Sequence, residues 1–130
     1  MYKKTITYVD YNDNSRTEDH YFNLTKAEIA KMEMSVSGGY AEMIQRIIAA
    51  QDQPALMEVF ENLIIKSYGI KTPDGRGFDK DPQHVKSFMQ TEAYSQFFMA
   101  LATDSKVASE FINGIFPADL VKQLEAANNN

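Results

Sequence analysis

Over the first twenty or so residues polar and apolar side chains alternate. From Thr25 onward the apolar ones recur every three or four positions, so a strand pattern gives way to a helical one. Tyr2, Ile6 and Tyr8 alternate with Lys3, Thr5 and Thr7, predicting a strand over residues 2–11. A second, more charged strand is predicted over 16–23, with one face in water. Between them Asn12-Asp13-Asn14-Ser15 supplies residue types that tolerate positive φ, so the two strands should form a tight hairpin. A lone ribbon of two strands is marginal in water, and this one must lie on helices or join a wider sheet.

The helical part is organised around Pro54 to Gly69. Leu56, Val59, Phe60, Leu63 and Ile64 make one continuous stripe, Asp52 stands at the N-cap position, and Pro54 falls in the first turn, where its missing N–H costs nothing. Gly69 is expected to close this helix in the left-handed conformation. Met57 and Ile65 lie off the stripe, which predicts a central helix covered on two sides. Upstream, Thr25-Lys26-Ala27-Glu28 is a capping box that opens a short helix, ended by Ser35-Val36-Ser37-Gly38-Gly39. A second helix over 40–51 carries Tyr40, Met43, Ile44, Ile47 and Ile48 on one face.

Downstream the period stops over 70–82, where Thr72-Pro73-Asp74-Gly75 is a turn signal. Asp81-Pro82 then caps a helix with Val85, Phe88 and Met89. Thr91-Glu92 begins another with Tyr94, Phe97, Phe98 and Leu101, and Thr103-Asp104 a further one with Val107, Phe111, Ile112 and Ile115. Gly114 should interrupt that helix near its end, Pro117 restarts the chain, and Leu120, Val121 and Leu124 form a small last face. The expected fold is α+β and mostly α: a hairpin over 1–24 packed on a bundle of about six short helices over 25–125, in one globular domain, with 126–130 frayed.

Composition narrows the function. At 130 residues, 44% hydrophobic and 24% charged, the chain is globular rather than disordered. A net charge of −5 and only three arginines, Arg16, Arg46 and Arg76, argue against a nucleic-acid binder. With no cysteine, disulfides and thiol chemistry are excluded. Neither a secretory leader nor a stretch of the ~18 apolar residues a membrane span needs is visible, so a soluble cytoplasmic protein is expected.

No reaction is written into the residues. His20 and His84 have no second ligand at metal spacing, and a structural role fits them better. Asp74, Asp79 and Asp81 resemble a calcium loop only until Pro82, and turn and cap roles account for them. Gly75-Arg76-Gly77 lacks the ending of a phosphate loop. Asn23-Leu24-Thr25 matches a glycosylation sequon but reads as a strand end leading into a helix cap. The one compositional signal is seven methionines and fifteen aromatics (7 Tyr, 8 Phe). Met43, Met57, Met89 and Met99 either fill a helical core or serve an adaptable binding surface. Phe97, Phe98 and Met99 in succession cannot all face inward on one helix.

Four stretches resemble the small tail assembly chaperones of long-tailed phages of Gram-positive hosts. They are YFNLTKAEI (21–29), YGIKTPDGRGF (68–78), QTEAYSQFFMALATD (90–104) and FINGIFP (111–117). The resemblance implies a non-enzymatic, cofactor-free protein that binds the tape measure protein and keeps it soluble. It would then give way to tail tube subunits and be absent from finished virions. A longer, frameshifted form is typical of the family. A partner surface is expected at Tyr94, Phe97 and Phe98, helped by Arg76 and Phe78. The free edges of the hairpin leave self-association open. They also allow an alternative: a structural virion protein of the tail or head–tail connector that pairs by strand addition.

Overall fold

The structure is a computed structural model and describes residues 1–116. The expectations for Pro117, Leu120, Val121, Leu124 and the tail 126–130 lie outside the described residues. In chain order the elements are β1 (Tyr2–Val9), β2 (Ser15–Phe22), α1 (Lys26–Ser35), α2 (Tyr40–Ala49) and α3 (Gln53–Ser67). Then come β3 (Tyr68–Lys71), β4 (Phe78–Asp79), α4 (Pro82–Met89), α5 (Glu92–Thr103) and α6 (Ser105–Ile115). The fold is α+β and mostly α, as the pattern predicts.

The hairpin pairs Tyr2 with Phe22 and Val9 with Ser15. Its turn is shaped by Asp10, whose carboxylate accepts from the Asn12 and Asn14 amides, both at 2.9 Å, and from Arg16 Nε at 2.6 Å. Asp13 takes the positive φ, 64°. Alternation then sorts the side chains. Ile6, Tyr8, His20 and Phe22 are buried against the helices. On the other face Thr5 bonds Asp19 and Thr7 bonds Thr17 in water.

The sheet is wider than the hairpin. It has four strands in the order β1-β2-β3-β4, all antiparallel. The stretch 70–82, expected as a loop, holds β4 and half of β3, closed by a turn in which the Thr72 amide donates to the Gly77 carbonyl at 2.9 Å and Gly75 takes φ 77°. Strands of four and two residues are too short for alternation to register. Gly69 is likewise not a left-handed helix cap. It lies in β3, and Tyr68 ends α3 in an extended conformation. A Cβ on Gly69 would stand 2.7 Å from the Phe78 ring and 2.9 Å from the Asp79 carbonyl oxygen, so glycine serves close approach of two strands.

The helix starts follow their capping residues. Thr25, Asp52, Asp81, Thr91 and Asp104 each accept a backbone N–H from the first turn of the helix they open. α3 packs on α2 and α5 through Val59, Phe60, Leu63 and Ile64. Its far side is not covered, because Ile65 is 40% exposed. Of the four methionines considered for the core, Met43, Met57 and Met89 are partly buried and Met99 is half exposed; the fully buried one is Met32.

Gly114 does not interrupt α6, which runs through it to Ile115. A Cβ there would meet Cβ and Cδ2 of Tyr2 at 2.7 Å, so the glycine lets the helix approach the first residue of β1. Gly114→Ala is therefore expected to destabilise by about 1–3 kcal/mol from overpacking, despite the roughly 1 kcal/mol of helix propensity that alanine offers. Urea denaturation of the single variants and of the double variant with Tyr2→Ala checks it, since removing the Tyr2 ring should recover part of the loss.

Candidate functional site

An apolar groove of about 440 Å³ lies where α2, α3 and the end of α5 face α6. Its walls come from pairs spaced i, i+4: Ile44 and Ile48 on α2, Leu56 and Phe60 on α3, Ala108 and Ile112 on α6. Ser105, Ala108 and Ser109 are too small to fill the space that the isoleucines and leucine face, so the helices leave a trough. No lining residue among those described is charged. A neighbouring hollow shares Ile48, Gln53 and Leu56 and continues along the α2–α3 junction, where Asp52 makes its lining charged, unlike that of the groove. Ile48 is 41% exposed within it. The lining of the groove is thus an apolar stripe edged by the small polar side chains of Thr103, Ser105 and Ser109.

The residues expected at a partner surface are not assembled into one patch. Phe97 is 2% exposed and belongs to the core, so it supplies no surface in this fold. Tyr94 is partly buried, stacked on Phe98 at 5.9 Å and edge-on to Phe88 at 5.7 Å. Of the run Phe97-Phe98-Met99, Met99 is the residue that faces out. Arg76 is exposed in the β3–β4 turn. Phe78 lies in β4 against Gly69, with Lys80 Nζ 5.9 Å from its ring centre. Among the described residues no ring contact joins Phe78 to Tyr94 or Phe98. Sequence reading missed the groove, although two signals for it exist. α2 carries five large apolar residues in ten positions, more than one neighbour covers, and α6 opposes them with small side chains.

Lys80, Glu28, His84 and Asp79 are engaged with one another or with the backbone. Lys80 Nζ donates to both Glu28 carboxylate oxygens, at 2.7 and 2.8 Å, and to the carbonyls of Asn23 and Lys66 at 2.6 and 2.9 Å. It thereby ties the segment after β4 to the start of α1 and the end of α3. Burial pulls the Glu28 carboxyl upward, but the Lys80 ammonium and the Thr25 amide outweigh it and hold the carboxyl below its ordinary range. His84 Nε2 sits 3.0 Å from Asp79. Among the described residues no group of three or more His, Cys, Asp or Glu is placed to hold a metal.

His20 is the exception in burial, at 8% exposure. Its Nδ1 lies 3.2 Å from the Tyr68 hydroxyl, and its ring packs 4.6 Å from that of Phe88. Nε2 comes within 3.5 Å of Glu18 but makes no hydrogen bond, while Glu18 accepts from the Tyr8 hydroxyl at 2.7 Å. Burial pushes the imidazole below its ordinary pKa of 6.5, against the smaller upward pull of Glu18. The folded state thus prefers neutral His20. Its contribution is complete above about pH 6.5 and is lost as pH falls through the depressed folded value. Urea midpoints of the parent should fall below pH 6.5, and a His20→Gln variant should show a flatter dependence over that window.

Comparison with curated proteins gives no match, and comparison with solved structures gives none either. A family model described as phage tail assembly chaperone matches residues 1–130, and the chain belongs to that family.

Proposed function

We propose that this tail assembly chaperone binds the tape measure protein of a phage of a Gram-positive host, without catalysis, through the groove between α2, α3 and α6. The single observation that supports this most is the uncharged trough itself, bordered by half-exposed Ile48 and by Leu56 and Ile112. A long helical partner presents apolar stripes that aggregate when unpaired, and a trough of this kind can cover one stripe reversibly. The acidic surface, net charge −5, would keep a coated complex soluble and self-repelling. Weak contacts repeated along a long partner add through multivalency and yield stepwise when tail tube subunits arrive. The Tyr94–Phe98 pair and Met99 on α5 would form a secondary contact, with Arg76 and Phe78 apart from it.

The protein acts in the infected host cell. Among the described residues no helix is long and apolar enough to cross a membrane. We place it in the cytoplasm and outside the finished virion. Co-expression with tape measure fragments tests the reading. The soluble fraction of the fragment should rise several-fold, and an unchanged fraction would overturn it. One observation favours a second reading, a structural tail or connector protein: β1 is an outer strand of the sheet, open to strand addition. Mass spectrometry of purified virions separates the two, since stoichiometric protein in particles fits only the structural role.

A further inference from the structure

We infer that the free protein pairs with a second copy of itself along β1, the two sheets continuing into one across a two-fold axis at Thr5. The pairing uses neither the groove nor a tail partner, so it stands apart from the proposed function. β1 is an outer strand of the sheet and has eight residues, whereas β4, the outer strand on the other side, has two. Its outward backbone groups follow from the ladder. The Asp10 amide donates to the Asn14 carbonyl at 2.8 Å, so Tyr8–Arg16, Ile6–Glu18, Lys4–His20 and Tyr2–Phe22 are the bonded pairs of the antiparallel hairpin. The Asn23 amide, bonded to the Ser67 carbonyl at 2.8 Å on the far side of β2, obeys the same alternation. Lys3, Thr5, Thr7 and Val9 therefore direct N–H and C=O away from β2. Among the described residues none of these groups has a hydrogen-bond partner.

Burial limits the register. Tyr2, Lys4, Ile6 and Tyr8 face the helices, and Lys3, Thr5, Thr7 and Val9 face water. Residues directly opposite share a face, so a slip of one residue would turn apolar side chains outward. With Thr5 on the axis, Lys3 lies opposite Thr7 of the second copy, Val9 opposite Met1, Tyr2 opposite Tyr8 and Lys4 opposite Ile6. Val9 and Met1, 55% and 60% exposed, then cover each other. Half-buried Tyr2 gains a further aromatic neighbour, and no like charges meet. Parallel pairing in register would instead set Lys3 and Lys4 beside their own copies. The helices leave room for the antiparallel arrangement. α6 approaches β1 at Tyr2, where Gly114 lets it come close, and the two Tyr2 residues stand roughly 20 Å apart along the strands. Each copy spends its one long edge, and β4 is too short to extend the sheet, so association closes at a dimer. A contact of one strand edge belongs to the small class of interfaces, which predicts a dimer populated between micromolar and millimolar concentration.

Sedimentation equilibrium of the full chain should show the dimer growing over that range. Thr5→Pro deletes an outward N–H at an edge position where proline suits an extended strand, and it also removes the exposed bond to Asp19. Thr5→Ala removes that bond alone. Dimerisation should weaken about tenfold or more with Thr5→Pro and stay close to the parent with Thr5→Ala. A second arm needs no disruptive change. The chain has no cysteine, so a single introduced thiol reports only contact between copies. Across the axis the two Thr5 residues stand about 5.5 Å apart. The two Lys3 residues are roughly 13 Å apart along the strands, and the two Thr17 residues are separated by three strand spacings, roughly 14 Å. Treated with a short bis-maleimide, Thr5→Cys should give several-fold more covalent dimer than Thr17→Cys. Lys3→Cys mixed with Thr7→Cys should likewise exceed either alone. A parent that stays monomeric to millimolar concentration would overturn the inference, and so would equal cross-linking at Thr5 and Thr17.

Discussion

Replacing Phe22 with alanine is expected to destabilise the fold by about 3–5 kcal/mol, the upper range for a buried aromatic ring. Phe22 is fully buried at the end of β2. Its ring meets Tyr2 of β1 at 6.0 Å, Tyr68 of β3 at 5.5 Å, Phe88 of α4 at 6.0 Å, Phe97 of α5 at 5.1 Å and Phe111 of α6 at 5.5 Å. Five elements thus converge on one side chain. Such a site collapses poorly after truncation. Phe97 and Phe111 already hold each other edge-on at 5.4 Å, and Tyr68 is stacked on Phe88 at 4.5 Å. Moving any ring inward would break a second contact, so the residual cavity stays and its cost is added to the lost burial. A domain of this size has about 5–15 kcal/mol in all, so the variant should sit near the edge of unfolding. Chemical denaturation followed by circular dichroism measures the shift. Met99→Ala, at a half-exposed position, should stay within about 0.5 kcal/mol. A loss below about 1 kcal/mol for Phe22→Ala would mean that the core is not built around this ring.

Much of this architecture is legible in the sequence because it rests on local rules. A Thr or Asp at each of five helix starts binds a nearby amide whatever surrounds it, and Asp10 to Asn14 close the hairpin using only their own atoms. The failures share another cause. β3 forms because β2 offers it a free edge and β4 because β3 does, and strands this short carry no alternation to record those neighbours. Local pattern places both Gly69 and Gly114 at helix ends, since a helix cap is the commonest local use of glycine. Their real constraint is a ring from a distant strand, Phe78 in one case and Tyr2 in the other. The burial of Phe97 has the same kind of cause. Phe97 belongs to the same helical run as Phe98 and Met99, and only packing decides which of the three turns inward. The groove is a space between helices, which periodicity along one helix does not describe.

Whether that groove or the α5 patch carries binding is decided by Ile48→Glu. Ile48 lies on the wall of the trough at 41% exposure, so a glutamate keeps the helix and reaches water in the free protein. The expected change in folding stability is accordingly small, about 1 kcal/mol or less. Once a partner's apolar face closes over the trough, the same carboxylate is trapped in a site with no cation among its described lining. A buried charge without a partner costs several kcal/mol, or else the complex must open to hydrate it. At roughly 2–3 kcal/mol, binding falls about 30- to 150-fold, since 1.4 kcal/mol is a factor of ten. Solubility of a co-expressed tape measure fragment, together with calorimetric titration, reads the effect. Tyr94→Ala combined with Phe98→Ala is measured in parallel, because these two rings stack on each other on α5 away from the groove. Loss of binding with Ile48→Glu and near-normal binding with the ring variant assigns the site to the groove. The opposite pattern moves it to α5 and leaves the trough as a packing defect between α2, α3 and α6.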